Sequence, residues 1–412
     1  MSQQSRSALD PLVAAAQRRG MSRRGFLRGA SLSALALGSP SLLAACGTEG
    51  AQQTAESCVS KDVSSSEKVL NFSNWPSYID EQVKKVNGKK ETVLPTLEDF
   101  EAASGIQVTY NTDVNDNNEF FAKVRNQLAD CQPTGRDIFV LTDWMAARMV
   151  QLGWIQKLDM ANMPNVEANL VANLRSPSWD PDRERSVPWQ SGLTGIAYNA
   201  KYTGEVKSME ELLTRSDLKG KVSLLSEMGD TMAFMLKIVG ADPEDFTDDE
   251  FGQALDQLQE YVDSEQIRRF TGNDYIRDLN AGNIAACEAW SGDVILMQYD
   301  NPDIKWVVPE EGLSLWSDNM LVPNKAEHKA NAEKLMDWYY DPEVAARLAA
   351  WVNYICPVEG AREAMEKIDA SLVDNPLIFP DEEFLSNAFA FMSVDEKKRE
   401  QYETDFAQVI GA

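Results

Sequence analysis

Histidine is almost absent from this chain, which contains only His328 among its 412 residues. A single histidine excludes histidine-rich metal sites and argues against acid–base catalysis that depends on an imidazole. His328 stands in the polar run NKAEHKANAEK. Because its neighbours are polar, we expect His328 to lie on the surface.

Motifs that would mark an enzyme or a cofactor site are also missing. The chain has no GxSxG nucleophile elbow, no CxxC pair and no Cys/His spacing typical of a metal site. The run DVNDNNEFF begins like a calcium loop, but Asn118 replaces the required glycine and Val124 replaces the bidentate glutamate. We interpret that run as the N-terminus of a helix. The sequence therefore predicts a protein without metal, cofactor or catalytic residues.

Basic residues are few relative to acidic ones. The chain has 39 Lys and Arg against 65 Asp and Glu, which gives a formal net charge of −26. A protein that follows nucleic-acid phosphates needs a basic surface, so we expect no nucleic-acid partner. An acidic surface attracts cations, which makes a cationic ligand one interpretation. The alternative is that the charge only keeps the protein soluble.

The N-terminal region lacks an apolar run long and continuous enough for a transmembrane helix. The run SRRGFL at residues 22–27 resembles the twin-arginine export motif, and LAAC, which ends at Cys46, resembles a bacterial lipobox. We predict a signal peptide over residues 1–45, lipidation of Cys46 and a flexible tether over residues 46–66. The lipid would hold the protein outside the cytoplasm, in the periplasm or at the outer face of the cytoplasmic membrane. The alternative is a disordered basic tail with a chance cysteine.

Four cysteines follow the predicted lipidation site: Cys58, Cys131, Cys287 and Cys356. Outside the cytosol, an even number of cysteines permits disulfides. Four cysteines allow three pairings, and the sequence does not choose among them.

Strand and helix patterns alternate after the tether. The segments VLNFSNW, IQVTYNTD and RDIFVLTD have the apolar spacing of strands, and helical spacing follows each of them. Such alternation predicts an α/β fold with a parallel sheet, in which ligands bind at the carboxyl ends of the strands. Farther on, RSVPWQSGLTGIAYNA predicts a strand and a crossover, and WVVPEEGLSLWSDNMLVP predicts a hairpin.

Acidic and aromatic residues recur where the predicted strands end. Any one of them has an ordinary explanation, because tryptophans often fill cores and acids at strand–helix junctions often cap helices. Five such groups at the predicted mouth of one sheet favour a pocket instead. The groups are Trp75 with Tyr78, Thr142 with Asp143 and Trp144, Glu227 with Asp230, Trp290 with Asp293, and Trp316 with Asp318.

This combination of side chains suits an alkyl chain with cationic ends. Flat aromatic walls pack on methylene groups, and carboxylates together with aromatic faces hold ammonium groups. A sugar site would share the tryptophans without needing so many acids. A site for a phosphate or an amino acid would need arginine or a glycine-rich anion nest, and the loops that carry these groups have neither.

The motifs that carry these residues resemble the extracytoplasmic polyamine-binding proteins, the spermidine and putrescine receptors of ABC importers. The resemblance covers nearly all of residues 67–365. It implies a type II periplasmic-binding-protein fold with two α/β lobes and a ligand cleft between them. The resembling segments are NWPSYID, FEAASGIQVTYNT, GRDIFVLTDWMAARMVQLGWIQKLD, VPWQSGLTGIAYN, WSGD and PEEGLSLWSDNMLVP. The implied lobes are residues 67–196 plus about 291–337, and about 197–290 plus 338–412.

The resemblance also implies a monomer that binds spermidine or putrescine unchanged and delivers it to an ABC permease. Pro76 departs from the family where a polar residue is common, and QVKKVNGKKETVLP is an insertion. The alternatives are the same fold binding another organic cation, an amino acid or a sugar, or an extracytoplasmic enzyme. The sequence identifies neither the preferred polyamine nor the permease. The implied ligand-binding residues are Trp75, Tyr78, Thr142, Trp144, Glu227, Asp230, Trp290, Asp293, Trp316, Asp318 and Tyr354.

Overall fold

The computed structural model describes residues 58–86, 89–392 and 394–411. The predicted signal peptide and Cys46 lie outside these residues. Within the described ranges, every helix is too short or too polar to cross a membrane.

Strands and helices alternate along most of the described chain, which confirms the predicted α/β class. The strands are β1 Val69–Asn74, β2 Gln82–Val86, β3 Lys89–Val93, β4 Gln107–Thr112, β5 Ile138–Thr142, β6 Ser186–Asn199, β7 Val222–Leu225, β8 Ile267–Thr271, β9 Ala286–Trp290, β10 Ile304–Val307, β11 Leu313–Leu321 and β12 Ala388–Phe389. The helices are α1 Pro95–Ser104, α2 Asn117–Ala129, α3 Asp143–Gln151, α4 Pro164–Asn169, α5 Met209–Thr214, α6 Met228–Ile238, α7 Asp248–Asp263, α8 Tyr275–Ala281, α9 Ser291–Asp300, α10 Lys329–Trp338, α11 Pro342–Val352, α12 Ala361–Ile368, α13 Glu382–Leu385 and α14 Glu396–Ile410.

The main sheet has the strand order β4-β1-β5-β11-β6-β9-β7-β8, with β10 added to β6 and β12 added to β11. β1 is parallel to β4 and β5, and β7 is parallel to β8 and β9. β2 and β3 form a separate antiparallel pair within the predicted insertion. Within each parallel group the carboxyl ends of the strands lie together, as the alternating pattern predicts. Because β5 and β9 run in opposite directions relative to β6, the carboxyl ends of the two groups face each other.

The long strand β6 joins the two parallel groups of strands. Its first part pairs antiparallel with β11, which itself pairs with β5. Its second part pairs antiparallel with β9 and β10. The predicted crossover within this segment is therefore a single continuous strand. The predicted hairpin is wrong, because β10 and β11 both pair with β6 and occupy successive stretches of it.

Local signals at helix ends agree with the structure. α1 begins at Pro95, where the missing N–H costs no helical hydrogen bond, and ends before Gly105, whose φ of 70° is the left-handed conformation that glycine adopts readily. Asp116 caps α2 by accepting a hydrogen bond from the backbone N–H of Glu119. The run DVNDNNEFF is therefore a helix N-terminus, as predicted.

Residues 338–368 pack beside α1, although the two segments are far apart in the sequence. The indole Nε1 of Trp338 donates to the Thr96 carbonyl at 3.2 Å, and Arg347 pairs with Asp99 at 2.8 Å. Buried residues of α11 and α12 belong to the same hydrophobic cluster as those of β1 and α1. A second cluster contains α6, α7 and the C-terminal helix α14.

The expectation that His328 lies on the surface is wrong. Its side chain is buried, with Nδ1 3.0 Å from an oxygen of Asp137 and Nε2 3.2 Å from an oxygen of Glu67. Burial by itself lowers the pKa of an imidazole, but the two carboxylates outweigh that effect and raise it. The segment before β1 covers this histidine, with the Val63 amide bonded to the Glu327 carbonyl at 2.8 Å. Nothing in the neighbouring sequence signals a contact so distant along the chain.

The structure selects one cysteine pairing among the described residues. Cys58 is bonded to Cys131, whereas Cys287 and Cys356 are buried free thiols. The bond connects the segment before β1 to the end of α2, 73 residues later in the sequence. It therefore fixes the end of the predicted tether to the folded body.

We expect alkylation of the unfolded, unreduced protein to label Cys287 and Cys356 but neither Cys58 nor Cys131. The folded protein should label none of the four, because the free thiols are buried and burial raises the pKa of both. Reduction should lower the free energy of unfolding by roughly 2–5 kcal/mol, the usual contribution of such a crosslink. Peptide mapping by mass spectrometry checks the pairing, and label on Cys58 without reductant would contradict it.

Candidate functional site

All eleven residues implied by the sequence resemblance line one cavity of about 310 Å³. Trp75 and Tyr78 follow the end of β1, and Thr142 is the last residue of β5. The ends of β7 and β9 reach the same cavity from the opposite direction, and the middle of β11 contributes to it as well. The structure therefore brings together residues that are up to 279 positions apart, from Trp75 to Tyr354. Their role in ligand binding stays a prediction.

The aromatic side chains hold one another in place by edge contacts. The ring of Trp75 lies 6.1 Å from that of Trp290, and Trp290 lies 6.4 Å from Trp316. Tyr354 contacts Trp316 at 5.5 Å and Tyr78 at 5.2 Å. Tilted and edge-on ring pairs of this kind are favourable beyond the apolar area that they bury. Each ring of the wall is therefore positioned by its neighbours.

Trp75 and Tyr78 are at once core residues and cavity wall. Only 7% of Trp75 and 4% of Tyr78 is exposed, and both belong to the main hydrophobic cluster. The Trp75 indole donates to the carbonyl of Val140 at 3.1 Å, which fixes its orientation. Both residues nevertheless line the cavity. Each of these two side chains therefore belongs both to the hydrophobic core and to the cavity wall.

Asp293 receives three hydrogen bonds from neutral donors. The Tyr275 hydroxyl donates at 2.8 Å, the Asn273 amide at 2.9 Å and the Tyr354 hydroxyl at 3.1 Å. Trp290 occupies the N-cap position of α9, and the Asp293 side chain receives no hydrogen bond from the backbone of that helix. The alternative that Asp293 serves as a helix cap is therefore wrong.

A hydrogen-bonded chain connects two other acids of the cavity. The Thr142 hydroxyl donates to Asp318 at 2.7 Å and accepts from the Asn117 amide at 2.9 Å. The same amide donates to Glu227 at 3.0 Å, and the backbone N–H of Asn117 donates to Glu227 at 2.8 Å. The second carboxylate oxygen of Glu227 is buried and has no hydrogen-bond partner among the described residues.

Asp230 is held between the sheet and the aromatic wall. It accepts hydrogen bonds from the Thr194 hydroxyl and, at 3.3 Å, from the Trp290 indole. Glu288, in β9, is fully buried near Asp230. Burial, together with the nearby Asp230, raises the pKa of Glu288 to about 8.

The cavity wall is rich in acids and contains no basic residue in the part of the chain that the structure describes. Five carboxylic acids and eight aromatic side chains line it. Burial raises the pKa of Asp143, Asp230 and Asp293 to about 6 and that of Asp318 to about 7, and it raises the pKa of Glu227 as well. The hydrogen bonds described above oppose these shifts without cancelling them. A bound cation would relieve the cost of ionising these acids.

Sequence reasoning missed several residues of the wall. Asn273 follows the end of β8, so the strand-end rule could have identified it. Trp179 and Phe391 lie in irregular segments without any periodic signal. The remaining additional wall residues are Pro76, Pro177, Ser178, Gly229, Ser314, Leu315 and Ala390.

A cluster of three or more acids, cysteines or histidines that could hold a metal ion is not found among the described residues. Although five acids share the cavity, the partners of Asp230, Asp293 and Asp318 are hydroxyl, amide and indole donors. The arrangement suits several separate cationic groups better than one coordinated ion.

Known proteins resemble this chain over most of its length. Residues 96–380 match the family model of the bacterial extracellular solute-binding proteins. Spermidine/putrescine-binding periplasmic protein 1 of Haemophilus influenzae is 24% identical over 293 residues, which are 71% of this chain and 79% of that protein. The putrescine-binding periplasmic protein PotF of Escherichia coli is 27% identical over 354 residues, covering 80% and 88%.

The fold is similar to that of solved structures as well. A structure from Listeria monocytogenes, ascribed to a spermidine/putrescine ABC transporter, has a TM-score of 0.71 and 25% identity, covering 83% of this chain and 99% of that one. The family model spans well over half of the chain. The protein is therefore a member of the bacterial extracellular solute-binding protein family, with the two-lobed α/β fold of periplasmic binding proteins.

Proposed function

We propose that this protein is the substrate-binding component of an ABC importer and that its ligand is a polyamine, spermidine or putrescine. The observation that carries the proposal is a cavity in which five acids and eight aromatic side chains meet without a basic residue among the described wall. The relatives named for polyamine binding support the same ligand class. The protein binds its ligand, releases it unchanged to a permease and catalyses no reaction.

The chemistry of the wall matches the alternating character of a polyamine. Its methylene segments lie against flat rings such as Trp75 and Trp316, and its ammonium groups meet Asp293 and Asp318. A charge-assisted hydrogen bond contributes roughly 1.5–3 kcal/mol, and a desolvated cation–π contact contributes about 0.5–2 kcal/mol. Several such contacts at once account for selective binding of a small flexible cation.

The two lobes close around this ligand. We keep residues 67–196 in the first lobe and about 197–290 in the second, with β6 crossing between them. The packing of residues 338–368 against α1 favours assigning them to the first lobe rather than the second. The C-terminal helix α14, which packs in the second hydrophobic cluster, stays with the second lobe.

The protein works as a monomer outside the cytoplasm, tethered through a lipid on Cys46. Cys58, which the disulfide bonds to the folded body, follows Cys46 by about a dozen residues in the sequence. A tether of this length would hold the receptor close to its permease and still permit the receptor to rotate. A Cys46→Ser substitution should release the protein from the membrane fraction.

Titration calorimetry with a panel of solutes tests the proposed ligand class. We expect putrescine or spermidine to bind, and a neutral sugar and an acidic amino acid to give no heat of binding. At a hundredfold excess over the dissociation constant, the polyamine should raise the free energy of unfolding by about 2.7 kcal/mol. Mass spectrometry should recover the ligand unchanged. Tightest binding of a neutral or anionic solute would overturn the proposal, and conversion of the polyamine would favour the enzyme alternative.

A further inference from the structure

A second cavity, of about 380 Å³, lies directly against the first. Asp143, Leu315, Trp316 and Ala390 line both cavities and therefore form the wall between them. Ala390 is exposed and carries only a methyl group, so its side chain obstructs a path between the cavities less than the other three shared residues do. The indole of Trp316 is fixed from the other side by a 2.9 Å hydrogen bond to Thr194.

The second cavity differs from the first in the chemistry of its lining. Its lining contains more aliphatic residues than that of the first cavity, and three exposed charged residues, Glu359, Arg362 and Glu363, belong to it. Arg362 pairs with Asp374 at 2.8 Å, which offsets its positive charge. The aliphatic lining residues are Val171, Leu174, Leu315, Ile355, Val358, Ile378 and Leu385.

We propose that the two cavities form one extended site for a linear polyamine longer than spermidine, a tetraamine. Two or three ammonium groups occupy the acidic first cavity, a methylene segment passes Ala390 into the aliphatic second cavity, and the last ammonium group meets Glu359 and Glu363. This inference rests on the proposed function and specifies the ligand class of the same site.

Charge counting supports a ligand of higher valence. Five acids line the first cavity, whereas putrescine carries two ammonium groups and spermidine three. Asp143 stands in the shared wall, where a charged group of a longer chain would pass. The second cavity combines seven aliphatic residues with the exposed acids Glu359 and Glu363 and the paired Arg362. An aliphatic channel ending in carboxylates complements a methylene segment followed by an ammonium group.

Two substitutions that block the extension test the proposal. Val171→Trp and Leu174→Trp each fill the second cavity, and neither residue lines the first. We expect either change to raise the dissociation constant of spermine at least tenfold while that of putrescine stays within twofold of wild type. Val373→Trp and Leu372→Trp, at a half-buried valine and a half-buried leucine, are matched controls because neither residue lines either of the two cavities.

A gentler pair of changes keeps the test valid if a tryptophan variant does not fold. The double substitution Glu359→Gln with Glu363→Gln should raise the dissociation constant of spermine three- to tenfold without changing that of putrescine. Glu366→Gln, an exposed acid of the same helix α12 outside both cavities, is the control.

The outcomes separate the two levels of the proposal. If no polyamine binds to the wild type, the proposed function fails. If putrescine binds but spermine does not, or if spermine binds the folded variants as tightly as it binds the wild type, the extended site is overturned and the proposed function stands. Selective loss of spermine binding supports the extended site.

Discussion

Asp293→Asn is expected to weaken polyamine binding ten- to a hundredfold while the melting temperature of the ligand-free protein stays the same or rises slightly. The substitution keeps the size of the side chain and removes the charge that would face an ammonium group. A charge-assisted hydrogen bond contributes roughly 1.5–3 kcal/mol, which corresponds to that range of affinity. Removing a buried charge should not destabilise the fold, because burial already opposes ionisation of Asp293.

The hydrogen bonds around Asp293 permit this exchange. The backbone N–H of Trp290 donates to the Tyr275 oxygen at 3.1 Å, so the Tyr275 hydroxyl is directed toward residue 293 and can still donate to an amide oxygen. The Tyr354 hydroxyl can rotate and accept from the new amide. Asp300→Asn, at an exposed acid of the same helix, is the matched control. Calorimetry that finds Asp293→Asn within threefold of wild type would remove Asp293 from the site.

Raising the pH from 5 to 8 is expected to tighten polyamine binding by up to about a thousandfold. Burial raises the pKa of Asp318 to about 7 and that of Asp293 to about 6. If both must ionise to hold ammonium groups, binding at pH 5 loses a factor of about 100 for Asp318 and about 10 for Asp293. The alkyl ammonium groups of the ligand keep their charge over this range, so the pH dependence comes from the protein.

The same acids should have the opposite effect on the stability of the ligand-free protein. Their pKa values are about 6 to 7 in the folded state and near 3.8 when unperturbed. Between these values the folded state binds more protons than the unfolded state, so the free energy of unfolding falls as the pH rises through that window. Ligand affinity should rise over the range in which ligand-free stability declines.

Calorimetry in buffers of different ionisation enthalpy checks the coupling directly. Near pH 6, each bound polyamine should displace about one proton or more from the cavity, so the apparent binding enthalpy should change with the buffer. Asp318→Asn should reduce the number of displaced protons, whereas Asp300→Asn should not. A binding enthalpy independent of the buffer at pH 6 would show that the cavity acids are already ionised.

Local sequence patterns were sufficient for most of the elements that build the site. The run VLNFSNW became β1 with Trp75 at its end, and LTDW placed Thr142 at the end of β5. The apolar spacing of a segment and the point at which a strand or helix ends depend on neighbouring residues only. Both can therefore be predicted from the sequence. The same rule would have identified Asn273 after β8 had it been applied there.

Pairings between distant segments escaped the same reasoning. β10 and β11 look like a hairpin because they are adjacent, yet both pair with β6, which lies more than a hundred residues earlier. His328 looks exposed among polar neighbours, yet Asp137 and Glu67 enclose it. The partner of Cys58 could not be chosen among three pairings. In each case the deciding contact is set by how the whole chain folds.

The sequence by itself determined the chemical content of the cavity. Most of its acids and aromatics follow strand ends, and each group of parallel strands gathers those ends on the side that faces the other group. Only the tertiary structure decided that Asp293 is held by Tyr275, Tyr354 and Asn273 rather than serving as a helix cap. It also decided that the acids are buried deeply enough to keep protons near neutral pH. Desolvation and hydrogen bonding depend on atoms contributed by remote segments, which no local pattern records.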